Sequence, residues 1–312
     1  MCIALKYGIW NVAQPESEPV NDLVRGGYPP LVAMILASRN IRDVRQAHSY
    51  LDCTAQLLDP FLMKDMDLAA GRVGLAMTRG EKIAVFGDYD VDGITATCLL
   101  TDLLRRLGAD CLSYIPGRLE EGYGLNPLAL HALAEQGVKL IVTVDCGITA
   151  VEEAQLCKEL GMDLVITDHH ECKEILPEAV AVVDPHQPSC RYPHKTLSGV
   201  GVAFKLAAAL CGNQEEVLAQ YADMVCLGTV ADVMLLQGEN RVFVSRGLEL
   251  LRHTHRPGIA ALMKECGCQP EQLGAGTIGF MLAPRINAAG RMGQIELAVE
   301  LFLTDDPQQA TY

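Results

Sequence analysis

Residues 82–93, Lys-Ile-Ala-Val-Phe-Gly-Asp-Tyr-Asp-Val-Asp-Gly, constrain this chain more than any other stretch. Residues 83–86 form an apolar run of buried-strand length that breaks at Gly87. Asp88, Asp90 and Asp92 follow at once, and from Gly93 the pattern turns helical over 94–107. Carboxylates crowded at the end of a buried strand repel one another, and a divalent cation between them relieves that repulsion most directly. A lone Asp-x-Asp would equally suit a solvated turn with a helix N-cap. What tips the balance is that the pattern recurs downstream.

From Lys82 the rhythm is strand, helix, strand, helix. Apolar runs occur at 83–86, 111–115, 139–144, 163–167 and 180–183, and helical stretches at 94–107, 126–136 and 149–160 separate the first four. Short runs without alternation suit strands covered on both faces, hence a parallel sheet with right-handed crossovers. The expected fold class is therefore α/β. It has a five-stranded parallel sheet in the order 2-1-3-4-5 flanked by helices, with an N-terminal helical segment and a C-terminal helical lobe. The expected divisions are 1–79, 80–197 and 198–312. The first holds helices near 31–38, 42–51 and 65–79, after a stretch to residue 28 with little periodicity. The last holds helices near 200–211, 214–228, 240–252, 257–264 and 294–303, then a turn at 305–307. The uncapped end at Tyr312 reads as a truncated linker helix.

The third run ends in Asp145-Cys146-Gly147, the fourth in Asp168-His169-His170-Glu171, and the second in Pro116-Gly117-Arg118. Ligands of open parallel sheets gather beyond the carboxyl ends of the strands at a topological switch point. The order 2-1-3-4-5 makes strands one, three and four neighbours, so their acids and imidazoles converge. Asp90, Asp92, Asp145 and His169 supply hard oxygens, one imidazole and no thiolate, a set that suits Mn2+ or Mg2+ better than zinc. Four or five carboxylates exceed what one ion needs. Two ions roughly 3.5–4 Å apart with a bridging carboxylate are typical of phosphoryl hydrolysis. Taken singly, Asp145 could cap the next helix, and either histidine could be an ordinary loop residue.

The net charge of −14 argues against a surface that coats polyanions indiscriminately. It leaves room for a nucleic-acid enzyme, because ions neutralise acids in a metal site and phosphate contacts need only a local basic groove. The twelve cysteines are scattered with no Cys-x-x-Cys, which favours reduced thiols over zinc ribbons or a disulfide framework. No apolar run approaches the roughly 18–20 residues that span a bilayer. The start lacks a signal-peptide pattern, so the expected location is cytoplasmic, with no membrane partner.

Asp-Tyr-Asp-Val-Asp-Gly at 88–93, Asp145-Cys-Gly and Asp168-His169-His170 resemble the first three motifs of the DHH phosphoesterase superfamily. Gly228-Thr-Val-Ala-Asp232 resembles the fourth, which contributes an Asp from a helix after the sheet. Four further stretches resemble one branch, the bacterial single-strand-specific 5′→3′ DNA exonucleases. They are Ile115-Pro-Gly-Arg118, Glu121-Gly-Tyr-Gly-Leu125, Ser198-Gly-Val-Gly-Val202 and Pro284-Arg-Ile-Asn-Ala-Ala-Gly-Arg291. The likeness runs from about residue 31 to 303.

That resemblance implies a ligand set. Asp90 and Asp145 would hold one Mn2+ or Mg2+ ion, and Asp92, Asp145, His169 and Asp232 the other, with Asp145 bridging. Small-molecule phosphatases of the superfamily place a His where Phe86 stands, so the first ion needs a substitute ligand, either Asp88 or water. Asp168 would orient the histidine pair, and His170 would face the scissile phosphate as charge stabiliser or proton donor, so Asp145, Asp168 and His170 are the expected catalytic residues. Arg118, Arg285 and Arg291 are the candidates for phosphate contacts, because guanidinium groups bind phosphate bidentately. A surface-loop cation competes for Arg118, and an inter-lobe salt bridge for Arg285. The Gly199-Val-Gly201 turn could cradle a phosphate at a helix N-terminus, or simply permit tight packing.

The implied function is metal-dependent 5′→3′ hydrolysis of single-stranded DNA to mononucleotides in DNA repair and recombination. The implied partners are single-stranded DNA, a single-strand-binding protein and a helicase, with the chain a monomer. Related readings are an oligoribonuclease or nucleotide phosphatase of the same superfamily, and a metal-holding scaffold without catalysis. A haloacid-dehalogenase-like phosphotransferase would also use Asp90-x-Asp92, but Asp168-His-His stands where it needs a late Lys. The exonuclease branch continues into a further phosphoesterase-associated domain and an OB-fold that grip single strands, so this chain is expected to bind metal yet cut DNA poorly alone.

Overall fold

The structure is a computed structural model that describes residues 14–53, 55–117, 122 and 124–312. The chain forms two compact units, residues 1–55 and 56–312. Arg118, Glu121 and Tyr123 lie outside the described residues.

In the first unit α1 (Ser17–Arg25), α2 (Pro30–Ser38) and α3 (Val44–Leu51) close over a small core of Leu23, Ala33, Leu36, Ile41 and Ala47. Pro30 starts α2, where its missing N–H costs nothing, and the Asp43 carboxylate caps α3 by accepting from the Gln46 N–H at 2.7 Å. Helix α1 occupies a stretch with little sequence periodicity.

The second unit is built on β1 (Lys82–Gly87), β2 (Cys111–Tyr114), β3 (Val138–Val144), β4 (Asp163–Thr167) and β5 (Ala181–Val183). They form one parallel sheet, as the apolar runs predict, in the order β2-β1-β3-β4-β5 expected from convergence of the groups at the strand ends. From β1 the chain moves to one side, through α5 (Val91–Arg106) to β2. It then returns past β1 through α6 (Pro127–Glu135) to β3, and goes on through α7 (Val151–Glu159) to β4. Right-handed crossovers running in opposite directions must lie on opposite faces. Accordingly α4 (Met66–Arg79), α5 and α8 (Gly199–Cys211) cover one face, and α6 and α7 the other. Phe86, Ile141, Ile166, Leu130, Leu133 and Ala154 belong to the core beneath α6 and α7, and Phe86 stacks on Tyr114 with ring centroids 5.3 Å apart.

Beyond the sheet come α9 (Gln214–Ala231), α10 (Gly238–Arg252) and α11 (Pro257–Glu265). They are followed by α12 (Ala275–Thr277), a π-helical segment (Ile278–Leu282), α13 (Ala283–Arg291), α14 (Ile295–Leu303) and α15 (Pro307–Thr311). Helix α15 continues from the turn expected at 305–307. A buried ion pair between Lys205 on α8 and Glu239 on α10 ties these helices together; Glu239 also accepts from Tyr192 Oη and from the Leu58 N–H. Among the described residues no helix is long and apolar enough to cross a membrane. The described cysteines are free thiols.

Candidate metal centre

The register of the sheet creates the site. Gly87 pairs with Val144, Val144 with Thr167, and Thr167 with Val183, so four adjacent strands end level. The next residue in each is an aspartate: Asp88, Asp145, Asp168 and Asp184. All four are buried. The switch point falls between β1 and β3, where the crossovers leave in opposite directions.

After β1 the chain enters α5 earlier than the apolar pattern suggests. Asp90 is its N-cap, accepting from the Gly93 N–H at 3.0 Å, and Asp92 lies within its first turn. The Asp92 carboxylate meets the start of α8, where it accepts from the Gly199 N–H at 2.6 Å and the Val200 N–H at 2.9 Å. Two glycines make this crowding possible. A Cβ on Gly199 would stand 2.4 Å from Asp145 Oδ1, and one on Gly228 of α9 would stand 2.5 Å from Asp92 Oδ1. The Gly199-Val-Gly201 turn therefore serves close packing of the acids.

Asp145 does not cap α7. It sits at φ 60°, in the left-handed region, and its Oδ1 lies 3.0 Å from Nε2 of His169. The Nε2 atom is also 3.7 Å from Asp232 Oδ2 and 3.9 Å from Asp92 Oδ2. The described residues form three overlapping groups whose donor atoms all lie within 4.8 Å of one another: Asp88, Asp90 and Asp145; Asp92, His169 and Asp232; and Asp145, His169 and His170. Asp232, the C-cap of α9, thus joins the cluster from outside the sheet.

Asp168 plays a different part. Its Oδ1 accepts from the backbone N–H of His169 at 2.7 Å and of His170 at 3.2 Å, and lies 2.7 Å from His170 Nδ1. Its Oδ2 accepts from the Ile148 N–H at 2.9 Å. It therefore holds the His170 ring directly and that of His169 only through the backbone. The side chain of His170 is 49% exposed.

The electrostatics follow from burial. Desolvation pushes Asp88 up to about 7, opposed by the Tyr89 N–H and reinforced by Asp90. Desolvation also raises Asp92 to about 7, with His169 lowering it and Asp232 raising it. Asp145 is driven well above the usual carboxylate range by burial and then by Asp92 and Asp90. Burial acts upward on Asp168 too, but its bond to protonated His170 and three N–H donors outweigh this and leave it lowered. His170 is raised to about 9, chiefly by Asp168, against the effect of burial. Cys146 is inert in this setting, its thiol pushed far up by burial and by Asp168 and Asp145.

The donor set fits a hard divalent ion. Asp88 Oδ1, Asp145 Oδ1 and Asp232 Oδ2 are buried without a hydrogen-bond partner. Asp145 Oδ1 and His169 Nε2 approach within 3.0 Å yet make no hydrogen bond, as two ligands of one ion do. Orphaned buried carboxylate oxygens facing one another are costly unless a cation completes them.

The expected phosphate-contacting arginines are placed unequally. On α13, Arg285 Nη1 donates to the Met281 carbonyl at 2.7 Å, and Arg291 is exposed at the helix end. From that motif Asn287 reaches the start of α5, where its Oδ1 accepts from the Val91 N–H at 3.1 Å. Asp184 and His186 are not among the expected site residues, although the fifth apolar run leads into Asp-Pro-His much as the fourth leads into Asp-His-His.

A model of the DHH family, N-terminal domain, matches residues 82–229. The single-stranded-DNA-specific exonuclease RecJ of Bacillus subtilis (strain 168) is 44% identical over 303 residues, which cover 96% of this chain and 38% of that protein. RecJ from Thermus thermophilus in complex with Mn2+ superposes with a TM-score of 0.81 at 32% identity, over 96% of this chain and 43% of that one. The complex of that protein with Mg2+ gives a TM-score of 0.71 at 30% identity, over 96% and 40%. The chain spans about two fifths of the length of these relatives.

Proposed function

Because the chain belongs to the DHH family and is similar to RecJ proteins along nearly its whole length, we propose that it carries the catalytic centre of a metal-dependent 5′→3′ exonuclease. Its substrate is single-stranded DNA, which it degrades to mononucleotides in repair and recombination. The observation that carries this reading is that Asp145 belongs both to the group with Asp88 and Asp90 and to a group with His169 and His170, while His169 also joins Asp92 and Asp232.

Asp88, Asp90 and Asp145 would hold one Mn2+ or Mg2+ ion, and Asp92, Asp145, His169 and Asp232 a second. Asp88 takes the place left open by Phe86, which is buried in the core. Bound there, the ions would neutralise charge on a phosphodiester and make water a stronger nucleophile at neutral pH. The residues of the chain prepare that chemistry. The N–H groups of Gly199 and Val200 fix both oxygens of Asp92. Asp168 keeps the His170 imidazole protonated and half exposed, ready to stabilise charge on a substrate phosphate or to donate a proton to the leaving oxygen. Arg285 and Arg291 supply guanidinium groups on the helical side, with Arg118 at the end of the second strand the further candidate. The same reading gives the protein a cytoplasmic location, a monomeric state, and a single-strand-binding protein and a helicase as partners.

The test uses the full-length enzyme on single strands labelled at either end, with and without a 5′-phosphate, in Mn2+ or Mg2+. Early release of labelled mononucleotide from the 5′ end, weakened by Arg118→Ala, is the expected result. Release from the 3′ end, or activity confined to short RNA, would favour the oligoribonuclease reading instead.

A further inference from the structure

The fifth strand ends as the fourth does. His170 donates its backbone N–H to Asp168 Oδ1, and His186 donates its own to Asp184 Oδ1 at 2.7 Å. Asp184-Pro185-His186 therefore repeats, one strand along, the turn of Asp168-His169-His170. Asp184 is fully buried, and its Oδ2 has no hydrogen-bond partner. The two turns differ in where the imidazole goes. His170 directs Nδ1 onto its own aspartate at 2.7 Å. His186 instead places Nδ1 2.9 Å from the carbonyl oxygen of His169, with Asp184 farther off at 3.6 Å. A carbonyl oxygen only accepts, so the proton of this bond belongs to His186 Nδ1.

His169 is thereby gripped on both of its backbone groups. Its N–H donates to Asp168 Oδ1 at 2.7 Å, and its C=O accepts from His186. The turn is anchored from below by the ladder itself, since the Asp168 N–H donates to the Val183 carbonyl at 3.0 Å. The peptide joining His169 to His170 carries two rings with centroids 4.5 Å apart. One ring faces the acid cluster and the other lies half in solvent, so rotating that peptide moves both. A working site holds such groups to within about 0.5 Å, which a single anchor on the N–H side does not guarantee.

We propose that His186 is a positioning residue. Through its Nδ1–H bond to the His169 carbonyl it fixes the peptide from which His169 faces the metal-binding acids and His170 faces the substrate side. The inference rests on the metal-dependent reading above, and it assigns the short strand β5 the task of delivering this anchor.

The experiment is titration with Mn2+, following free ion by electron paramagnetic resonance, on the wild type, His186→Ala and His186→Asn, with thermal melting in parallel. An asparagine amide can place an N–H near the position of Nδ1–H. In His186→Ala the ion held by Asp92, His169 and Asp232 should bind at least about tenfold more weakly, while the ion at Asp88 and Asp90 stays within about threefold. His186→Asn should recover wild-type affinity to within about threefold. A wild type that binds no Mn2+ would overturn the metal reading itself. A wild type that binds, with an alanine variant equal to it or an asparagine variant as impaired as alanine, would overturn the positioning role. If the alanine variant does not fold, the asparagine variant decides alone: retained affinity supports the role and lost affinity refutes it.

Discussion

Gly199 donates its backbone N–H to Oδ2 of Asp92 at 2.6 Å, which locks the start of α8 onto the first turn of α5. With the Val200 N–H on the other oxygen, the carboxylate is oriented by the helix end. Burial still holds it at about 7, so orientation is supplied by the protein and charge compensation is left to an ion.

Gly199→Ala tests that closeness. The added Cβ would stand 2.4 Å from the Asp145 carboxylate, which is itself buried. Overpacking of this kind costs roughly 1–3 kcal/mol. Urea unfolding should register that loss, and Mn2+ affinity should fall by at least about tenfold because Asp145 is displaced. Unchanged affinity in a folded variant would show that Asp145 has room to move.

The acid cluster predicts a pH dependence of metal stabilisation. Asp88 and Asp92 rise from the ordinary 3.8 to about 7 in the folded protein. In the metal-free protein their contribution to stability is complete below the unfolded value and is lost as pH rises through 7. A divalent ion must displace the same protons, so its binding strengthens across that interval. The rise in Tm produced by a fixed Mn2+ concentration should be larger at pH 8 than at pH 6. An equal rise at both would mean that these carboxyls are already ionised at pH 6.

His170 should separate chemistry from metal binding. Its pKa near 9 keeps it protonated at neutral pH, and the charge is lost as pH rises through that value. Activity attributable to it should therefore decline above pH 9. His170→Ala should lower kcat by about 10²–10⁴ while leaving Mn2+ affinity nearly unchanged. A large loss of affinity would instead make His170 a ligand, in keeping with its place beside Asp145 and His169.

Val233, next to Asp232, is a strained position. It lies at φ 59° where α9 ends, its N–H donating to the Val230 carbonyl, and it is 86% exposed. A β-branched residue in the left-handed region costs roughly 1–2 kcal/mol, and no packing offsets this. Val233→Gly should raise stability by about 0.5–1 kcal/mol after the greater freedom of glycine in the unfolded chain is counted. A loss of stability in urea would show that the exposed side chain makes contacts that matter.

The sheet was legible because strands covered on both faces need no alternation, and their short apolar runs stand out between helical stretches. The order followed from asking Asp88, Asp145 and Asp168 to converge. The level ending of Gly87, Val144, Thr167 and Val183 was not legible, because register depends on pairing between strands distant in sequence. Asp184 went unnoticed for that reason: at the end of a three-residue strand it matters only once it is level with the others. The start of α5 is displaced from the expected one because its first turn carries Asp92, an acid that interrupts the apolar period. Helix α1 was hidden because it buries only Pro19 and Leu23. Helix α13 was not among the expected helices; its sequence carries Pro284 and Gly290, although proline is well suited to a first helical turn.

Whether Asp145 serves two ions at once is decided by calorimetric titration of wild type and Asp145→Ala with Mn2+. Two ions should bind per wild-type chain, and both should be lost in the folded variant. Unchanged Mn2+ binding in Asp145→Ala, or loss of one ion with the other untouched, would contradict it.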